Sequence, residues 1–578
     1  MSYLFNIIIM CCITAGIIIT EGNASQELNI NGKVMDLKGS PVSGATVKIK
    51  DADSSAITDK NGDFSFGKNV GIISYLGKES AQPNFAFLSG GKIKIRTSKR
   101  TLVCITGFNL SGKAVYQKKR FVNAGVHVFS TPSLKHGVTL FRVTEDDRTV
   151  YLKTYTLGGI ICGKVQAETI NPLFSEASAR HHSADQFKDT IFITKSGYLK
   201  YALRINKTDI GGLKIRLANE DHPKISKKHI YEPGTVLFRA CHAATILELP
   251  DGTLLSAFFG GSAEGARDVE IRLCRKEPGK EWTAPINVAD GMLNGERHST
   301  GNPALFQTFD GKIMLFYKIL TDRRYGAMKT STDGGKTWSK MQQICKECIG
   351  PEKNKPVQLE DGTIIAPSSD RNGDSGIRVE ISKDNGETWT TTTKGIGGGT
   401  QPTVLFHPDN RLQMMFRTDG HTSIGVTWSD DNGETWSEPE GSALPNNNSG
   451  IDAVTLRNGR HLLAYNHAYR NEMGHKGRGI LNVALSNDGK AWEAATIVNY
   501  YPKSGYQYSY PAVIQSRNGL VHLVHTWHRK TIDHVVINPA ALKTEPMPDG
   551  KWPTSGSLSL EEWKRENPRW ENPTLKRQ

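Results

Sequence analysis

From residue 251 onward the chain repeats itself, and the period limits what it can fold into. A turn of the form Asp/Asn-Gly, or Asp-Asn once, precedes an apolar run at Asp251-Gly252, Asp310-Gly311, Asp361-Gly362, Asp409-Asn410, Asn458-Gly459 and Asn518-Gly519, at spacings of 59, 51, 48, 49 and 60 residues. Between these turns lies a second element, Ser331-Thr-Asp333-Gly-Gly335-Lys-Thr337-Trp338, which recurs from Ser382 to Trp389 and from Ser429 to Trp436. A shortened copy runs from Ser486 to Trp492 and a degenerate one ends at Trp282. Each unit has the length of one four-stranded sheet. Such a sheet cannot bury both faces alone, whereas six arranged radially cover one another. The repeat therefore predicts an all-β fold, a six-bladed β-propeller over residues 233–540. In the interleaved element Ser and Asp suit hydrogen bonds to the turn backbone, Gly permits positive φ, and Trp suits packing between blades.

The remainder of the 578 residues reads as smaller β-rich pieces. With 37% hydrophobic residues, 22% charged and a mean hydropathy of -0.42, the composition is that of a soluble globular protein. Residues 1–24 have the apolar centre, Ile7 to Ile19, and the small-residue exit of an export signal, although no basic residue precedes the apolar run; a single membrane anchor is the alternative. The expected location is outside the cytoplasm of a bacterium, either secreted, periplasmic or on the cell surface. Strands joined by tight turns fill 25–100, a second small sandwich is expected at 101–164, and 165–230 reads as a linker followed by strands. Gly32-Lys33-Val34, Pro41-Val42-Ser43-Gly44-Ala45 and Thr58-Asp59 before Gly62-Asp63-Phe64 resemble the carboxypeptidase regulatory-like domain, an accessory module without catalytic residues. Residues 541–578 read as a loosely docked tail.

The net charge of +14 is unevenly placed. Residues 25–230 hold 32 Lys and Arg against 17 Asp and Glu, and residues 231–578 hold 40 of each. The basic front half suits contact with a cell surface or polysaccharide, and no nucleic-acid recognition motif accompanies it. Six scattered cysteines remain after Cys11 and Cys12, too few and too dispersed for a disulfide framework. Cys345 and Cys348 form one C-x-x-C without the second ligand pair that zinc requires. His522, His525, His528 and His534 alternate along strands without an acid at metal-ligating spacing. No metal or cofactor is expected, and the chain is expected to be a monomer.

If the first strand of each blade runs into the Asp-Gly hairpin and the second returns, the start of one and the end of the other meet on a single axial face. Counting back eight or nine residues from each turn reaches His242, Asn302, Lys353, Gln401 and Tyr510, and six back in blade five reaches Asp452. Counting forward seven residues from each turn's second residue reaches Lys318, Ser369, Arg417, Asn466 and Thr526. Polar groups converging on a concave mouth are the default form of a binding site. Lys318, Lys353, Lys355 and Arg417 favour an anionic ligand, such as a uronate, a sulfated sugar or a sialic acid. Asp268 is a nearby acid, and Tyr508, Tyr510 and His242 are candidate bases or nucleophiles. Each has a structural alternative: Asp268 as a partner of Arg267 or Arg272, Tyr508 as a blade-packing aromatic, His242 as a core histidine, and Asp452 as a turn cap.

The repeated elements resemble the Asp boxes of the sialidase, or BNR-repeat, superfamily. That resemblance implies an exo-acting glycosidase with its site at the axial end opposite the boxes. Sialidases begin blade one with Phe-Arg-Ile-Pro, whose Arg holds the substrate carboxylate; here Phe238-Arg239-Ala240-Cys241-His242 puts Arg239 three residues early and His242 in its place. Asp268 resembles the acid/base Asp, and Tyr508-Ser509 the Tyr-Ser motif of the nucleophile. Cys241 to Thr245, Lys353 to Pro356, Asn448 to Asp452 and Tyr508 to Pro511 are similar to a sialidase-like branch labelled predicted neuraminidase. The turn count and the resemblance together give Asp268, Tyr508, Tyr510 and His242 as the expected catalytic residues, with Arg239, Asn302, Lys318, Lys353, Lys355, Gln401, Arg417, Asp452 and Asn466 expected to bind an acidic glycan. Two alternatives stand beside hydrolysis: a uronate-directed lyase or dehydratase, and a propeller that binds carbohydrate without catalysis.

Overall fold

The structure, a computed structural model, describes residues 29–50, 55–66, 86–89, 92–97, 101–108, 114–130, 136–145, 148–157, 160–162, 167–168, 189–207, 209–321, 324–370, 376–393, 395–419, 422–503 and 505–568. The export segment and most of the linker read at 165–187 lie outside them.

Six antiparallel sheets follow one another along residues 240–537. Blade one is Ala240–Glu248, Leu254–Gly261, Glu270–Lys276 and Ile286–Ala289. Blade two runs from Ser299–Gln307 to Gln342–Gln343, blade three from Val357–Gln358 to Thr390–Thr393, and blade four from Thr400–Phe406 to Glu440–Pro445. Blade five runs from Asp452–Thr455 to Trp492–Tyr500. Blade six holds Tyr508–Gln515, Val521–Trp527 and Thr531–Ile537. The first strand of blade one lies against those of blades two and six, which closes the ring. Second strands such as Leu254–Gly261 and Val521–Trp527 are buried along their whole length. Neighbouring blades cover both their faces, so they are apolar runs without alternation.

The outer strand of blade six is Ile225–His229, which precedes the propeller start read at residue 233. A strand from before blade one therefore completes the last blade, and the ring is tied shut through sequence-distant pairing. His229 Nδ1 lies 2.5 Å from Asp533 Oδ1, and Lys227 bonds the Val498 carbonyl in blade five.

The boxes do the structural work their composition suggests. In Ser382 to Trp389, Ser382 Oγ accepts the Gly386 N–H at 2.8 Å, Asp384 accepts the Thr388 N–H at 2.9 Å, and Trp389 is buried against Phe316 of blade two. Gly335, Gly386 and Gly433 have positive φ. A Cβ on each would strike Leu255, Met314 or Ile365 of the preceding blade, so the box glycines are also points of close approach. Asn385 bonds Asp310 of the preceding hairpin, which puts boxes and hairpins at one end of the propeller.

Two smaller sheets flank the propeller sequence. One pairs Asn29–Asp36 with Asp63–Phe66 and, in parallel, with Asp209–Leu217; the other joins Thr46–Ile49, Ser55–Ile57, Asp189–Thr194 and Tyr201–Ile205. Strands at 189–217 thus complete the module begun at residue 29. Lys92–Thr97 pairs instead with Gly125–Ser130, beyond the boundary read at residue 100. The described residues of 86–168 form a compact unit of their own, and 29–66 with 189–568 form another. The tail is packed: Glu545–Pro546 adds a fifth strand to blade five, and Met547 and Leu558 are buried in a core shared with Trp492. Helix Leu560–Glu566, capped by Ser559, sets Trp563 edge-on to Tyr500.

Candidate active site at the axial mouth

The mouth is built on a repeated backbone device. The first strands of blades one, two, four and six carry a register shift, between His242 and Thr245, Gly301 and Ala304, Thr400 and Thr403, and Ser509 and Ala512. In each, the residue eight before the hairpin turn is left-handed: Ala243 (φ 56°), Asn302 (44°), Gln401 (56°) and Tyr510 (57°). Lys353 (72°) occupies the same place in blade three. Positive φ is costly outside glycine and persists where surrounding packing enforces it. Its recurrence here re-aims one side chain per blade, the usual consequence of a bulge. Pro303, Pro402 and Pro511 follow three of these residues and withhold no ladder donor that the bulge needs.

The side chains so aimed meet around Tyr510. Arg417 Nη1 donates to Tyr510 Oη at 2.5 Å and to Gln401 Oε1 at 2.9 Å, and its Nε donates to Asn448 Oδ1 at 2.6 Å. The Arg478 guanidinium lies 5.4 Å from the Tyr510 ring centre and donates to the Asn448 carbonyl at 3.1 Å. Burial, with Arg417 and Arg529 nearby, pushes Arg478 down to about 10 although Tyr510 opposes the shift. The His242 ring centre is 4.0 Å from that of Tyr510, and its Nδ1 is 2.8 Å from Thr526 Oγ1. Burial first, then Arg529, Arg478, Arg417 and Lys353, hold the imidazole well below its ordinary range, so His242 is neutral.

Beneath this group lie two polar centres. Lys353, fully buried, donates to Asn354 Oδ1 at 2.6 Å, to the Ile451 carbonyl at 2.7 Å and to the Pro511 carbonyl. Its acceptors come from blades five and six and its own loop, so it crosses the axis. Glu352, also fully buried, accepts from Asn302 at 2.7 Å, Arg324 at 2.9 Å, Ser369 at 2.8 Å and Gln401 at 3.4 Å.

Other residues named from the sequence have different places. Lys355 meets Asp452 at 2.9 Å, and Asp452 also accepts from Thr403 and the Val513 N–H, so the pair ties blades three to six instead of facing a ligand. Lys318 has no exposed surface and holds the Ile349 and Gly350 carbonyls, whose N–H groups bond Glu380. Asn466 donates to the carbonyls of Ile480 and Tyr508. Tyr508 is packed in the core of blades five and six with Val513 and Leu523, as its blade-packing alternative required. Arg239 is exposed, and its N–H bonds the Gly261 carbonyl. Asp268 stands in an exposed loop and accepts from the Ser262 hydroxyl at 2.8 Å and N–H at 2.9 Å, which hold it below the ordinary carboxylate range; neither Arg267 nor Arg272 is its partner. Glu264 of that loop meets Arg529 at 2.7 Å and so joins it to the mouth. Sequence reasoning missed Arg478, Arg529 and Glu352. The first two lie in loops of irregular length, whereas Glu352 sits nine residues before its turn and was within reach of the count.

Residues 252–523 match the family described as BNR repeat-like domain. A Clostridium perfringens sialidase is 27% identical over 223 residues, which is 31% of this chain and 58% of that protein, so the match spans less than two thirds of its length. Among solved structures, a Hadza microbial sialidase is similar at TM-score 0.46 and 14% identity, covering 79% of this chain and 95% of that one. The intramolecular trans-sialidase of Ruminococcus gnavus is similar at TM-score 0.44 and 15% identity, covering 55% and 98%. The sheet order and the boxes agree with that family match: the propeller region of this chain is similar to the BNR repeat-like domain over residues 252–523.

Proposed function

We propose that the axial mouth receives the terminal acidic sugar of a glycan and hydrolyses its linkage from the chain end. One observation carries this reading: Arg417 and Arg478 converge on Tyr510, with Arg529 and Lys353 close enough to depress the neighbouring imidazole. Two arginines on one phenol, with two further cations acting on the imidazole beside it, form a positive receptor for a carboxylate or sulfate. In the proposed step the Tyr510 oxygen bonds to the anomeric carbon as its own proton passes to solvent. The glycosidic C–O bond breaks, and Asp268, whose lowered range confines its protonated form to acidic pH, gives its proton to the leaving oxygen. Water then displaces Tyr510, its proton passing to Asp268 while the released phenoxide regains a proton from solvent.

A neutral imidazole beside a phenol, within a ring of cations, also favours a second reading, elimination next to a uronate carboxylate. Either reaction places the protein where glycans are, outside the cytoplasm, and the Cys345–Cys348 disulfide suits an oxidising compartment.

The test is to incubate the purified chain with sialylated, uronate-ended and sulfated oligosaccharides, following reducing sugar, free sialic acid and the ultraviolet absorbance of an unsaturated uronate. Sugar release without new absorbance supports hydrolysis, and absorbance moves the reaction to elimination. In the active pairing Tyr510→Phe should lose turnover by about 10²-fold or more, and Arg417→Ala should lose about 10- to 100-fold in kcat/KM. Binding without turnover on every substrate would make the propeller a carbohydrate-binding module.

A further inference from the structure

The His242 side chain is 1% exposed, and its Nε2 is a buried atom with no hydrogen-bond partner among the described residues. Its other nitrogen is not idle. Nδ1 faces Thr526 Oγ1 at 2.8 Å, and the same oxygen receives the Ala243 N–H at 3.2 Å. Thr526 is fully buried, so its hydroxyl proton needs an acceptor inside the protein. The backbone N–H is a donor only, which leaves Nδ1 to take that proton. The opposite tautomer, with Nδ1 donating to the hydroxyl, would strand both the hydroxyl proton and the Nε2 lone pair. With Nδ1 as acceptor, a single group is left over, the Nε2–H, beside Tyr510 and within the arginine ring.

We propose that the relay from the Ala243 N–H through the Thr526 hydroxyl to His242 Nδ1 fixes His242 as a neutral donor, and that its Nε2–H contacts an oxygen of the bound acidic sugar. Thr526 is then a positioning residue that acts through His242. The surrounding cations reinforce the assignment, since Arg529, Arg478 and Arg417 all oppose a second proton on the ring. A neutral donor among guanidinium groups provides direction without further charge, so it distinguishes sugars by the position of an oxygen beside the acid group. The ligand half of this inference rests on the reading of the mouth as an acidic-sugar site, whereas the tautomer half does not.

The experiment separates the two. In the full chain labelled with ¹⁵N-histidine, and with the His242 signal identified by its loss in His242→Gln, Nδ1 should show the shift of an unprotonated nitrogen and Nε2 that of a protonated one, unchanged from pH 6 to 8. Thr526→Ser should keep this pattern and Thr526→Val should lose it. Binding of a uronate-ended or sialylated oligosaccharide should weaken about five- to tenfold in Thr526→Val, the loss of one hydrogen bond, and stay near the parent value in Thr526→Ser. A protonated Nδ1 in the parent protein, or equal binding by the Val and Ser variants, would overturn the proposal. The expected tautomer with no acidic oligosaccharide bound by the parent would overturn its ligand half together with the reading of the mouth.

Discussion

Replacement of Lys353 by Met tests whether a charge is held at the floor of the mouth. Burial, which Asp452 opposes and Lys355 and Arg417 reinforce, pushes the ammonium from 10.5 down to about 7. A shift of that size corresponds to about 5 kcal/mol of differential stability between protonation states. The folded chain releases this proton near pH 7 and the unfolded chain only near 10.5, so between these values the unfolded state binds more protons and stability rises with pH. About 2 to 3 kcal/mol of that gain should appear between pH 7 and 9. The Met variant lacks the titration, although it leaves the oxygens of Asn354, Ile451 and Pro511 without their donor, at about 1–3 kcal/mol each. The variant should therefore be less stable than the parent, and increasingly so as pH rises. Urea denaturation of both chains at pH 7 and 9 reads the difference, since all other titrating groups are common to both. Parallel pH profiles would refute the reasoning, and a variant more stable than the parent at pH 7 would show that charge burial outweighs the three acceptors.

Affinity for an acidic oligosaccharide should fall as pH rises through about 7, because the same titration removes a cation from the mouth, and the fall should be absent in Lys353→Met; titration calorimetry of both proteins checks it. Ser262→Ala removes the hydroxyl that most depresses Asp268, so the alkaline limb of kcat/KM should move to higher pH; an unmoved limb excludes Asp268 as the acid. Trp389→Ala empties a buried site between blades three and two and should cost about 3–5 kcal/mol in denaturant unfolding with KM unchanged.

The architecture was legible because a propeller writes its period into the chain. Hairpin and box recur together, and the turn sets the offset to the bulge, which is why counting back from it reached Asn302, Lys353, Gln401 and Tyr510 and missed the left-handed Ala243 by one residue at His242. The choice between Tyr508 and Tyr510 was not legible. Two residues apart on a regular strand they would share a face, yet the register shift from Ser509 to Ala512 and the left-handed Tyr510 send one into the core and the other to Arg417. Forward counting found strand ends correctly, but Lys318 and Asn466 spend their donors on loop and strand carbonyls there, a competition that composition does not record. The module boundaries were hidden for another reason. Parallel pairing of Asn29–Asp36 with Asp209–Leu217 across an insertion leaves no local signal in either segment.

Blade five departs from the other five, and the departure explains the floor of the mouth. Eight residues before its turn stands Gly450, whose added Cβ would come within 3.0 Å of Lys353 Cδ and 3.2 Å of Gln401 Oε1. The space that a bulge side chain of blade five would fill is occupied from across the axis by Lys353. One blade gives up its inward side chain, and another sends a cation through the vacancy to the carbonyls of Ile451 and Pro511. Since Pro511 follows the strained Tyr510, the lysine holds the strand that presents the phenol as well as lending it a field. Arg417 approaches the same phenol from blade four and Arg478 from blade five. The positive character of the mouth is thus a product of the blade-to-blade asymmetry of a repeat, and it belongs to a region whose overall Lys and Arg count is balanced by its acids, 40 against 40 over residues 231–578.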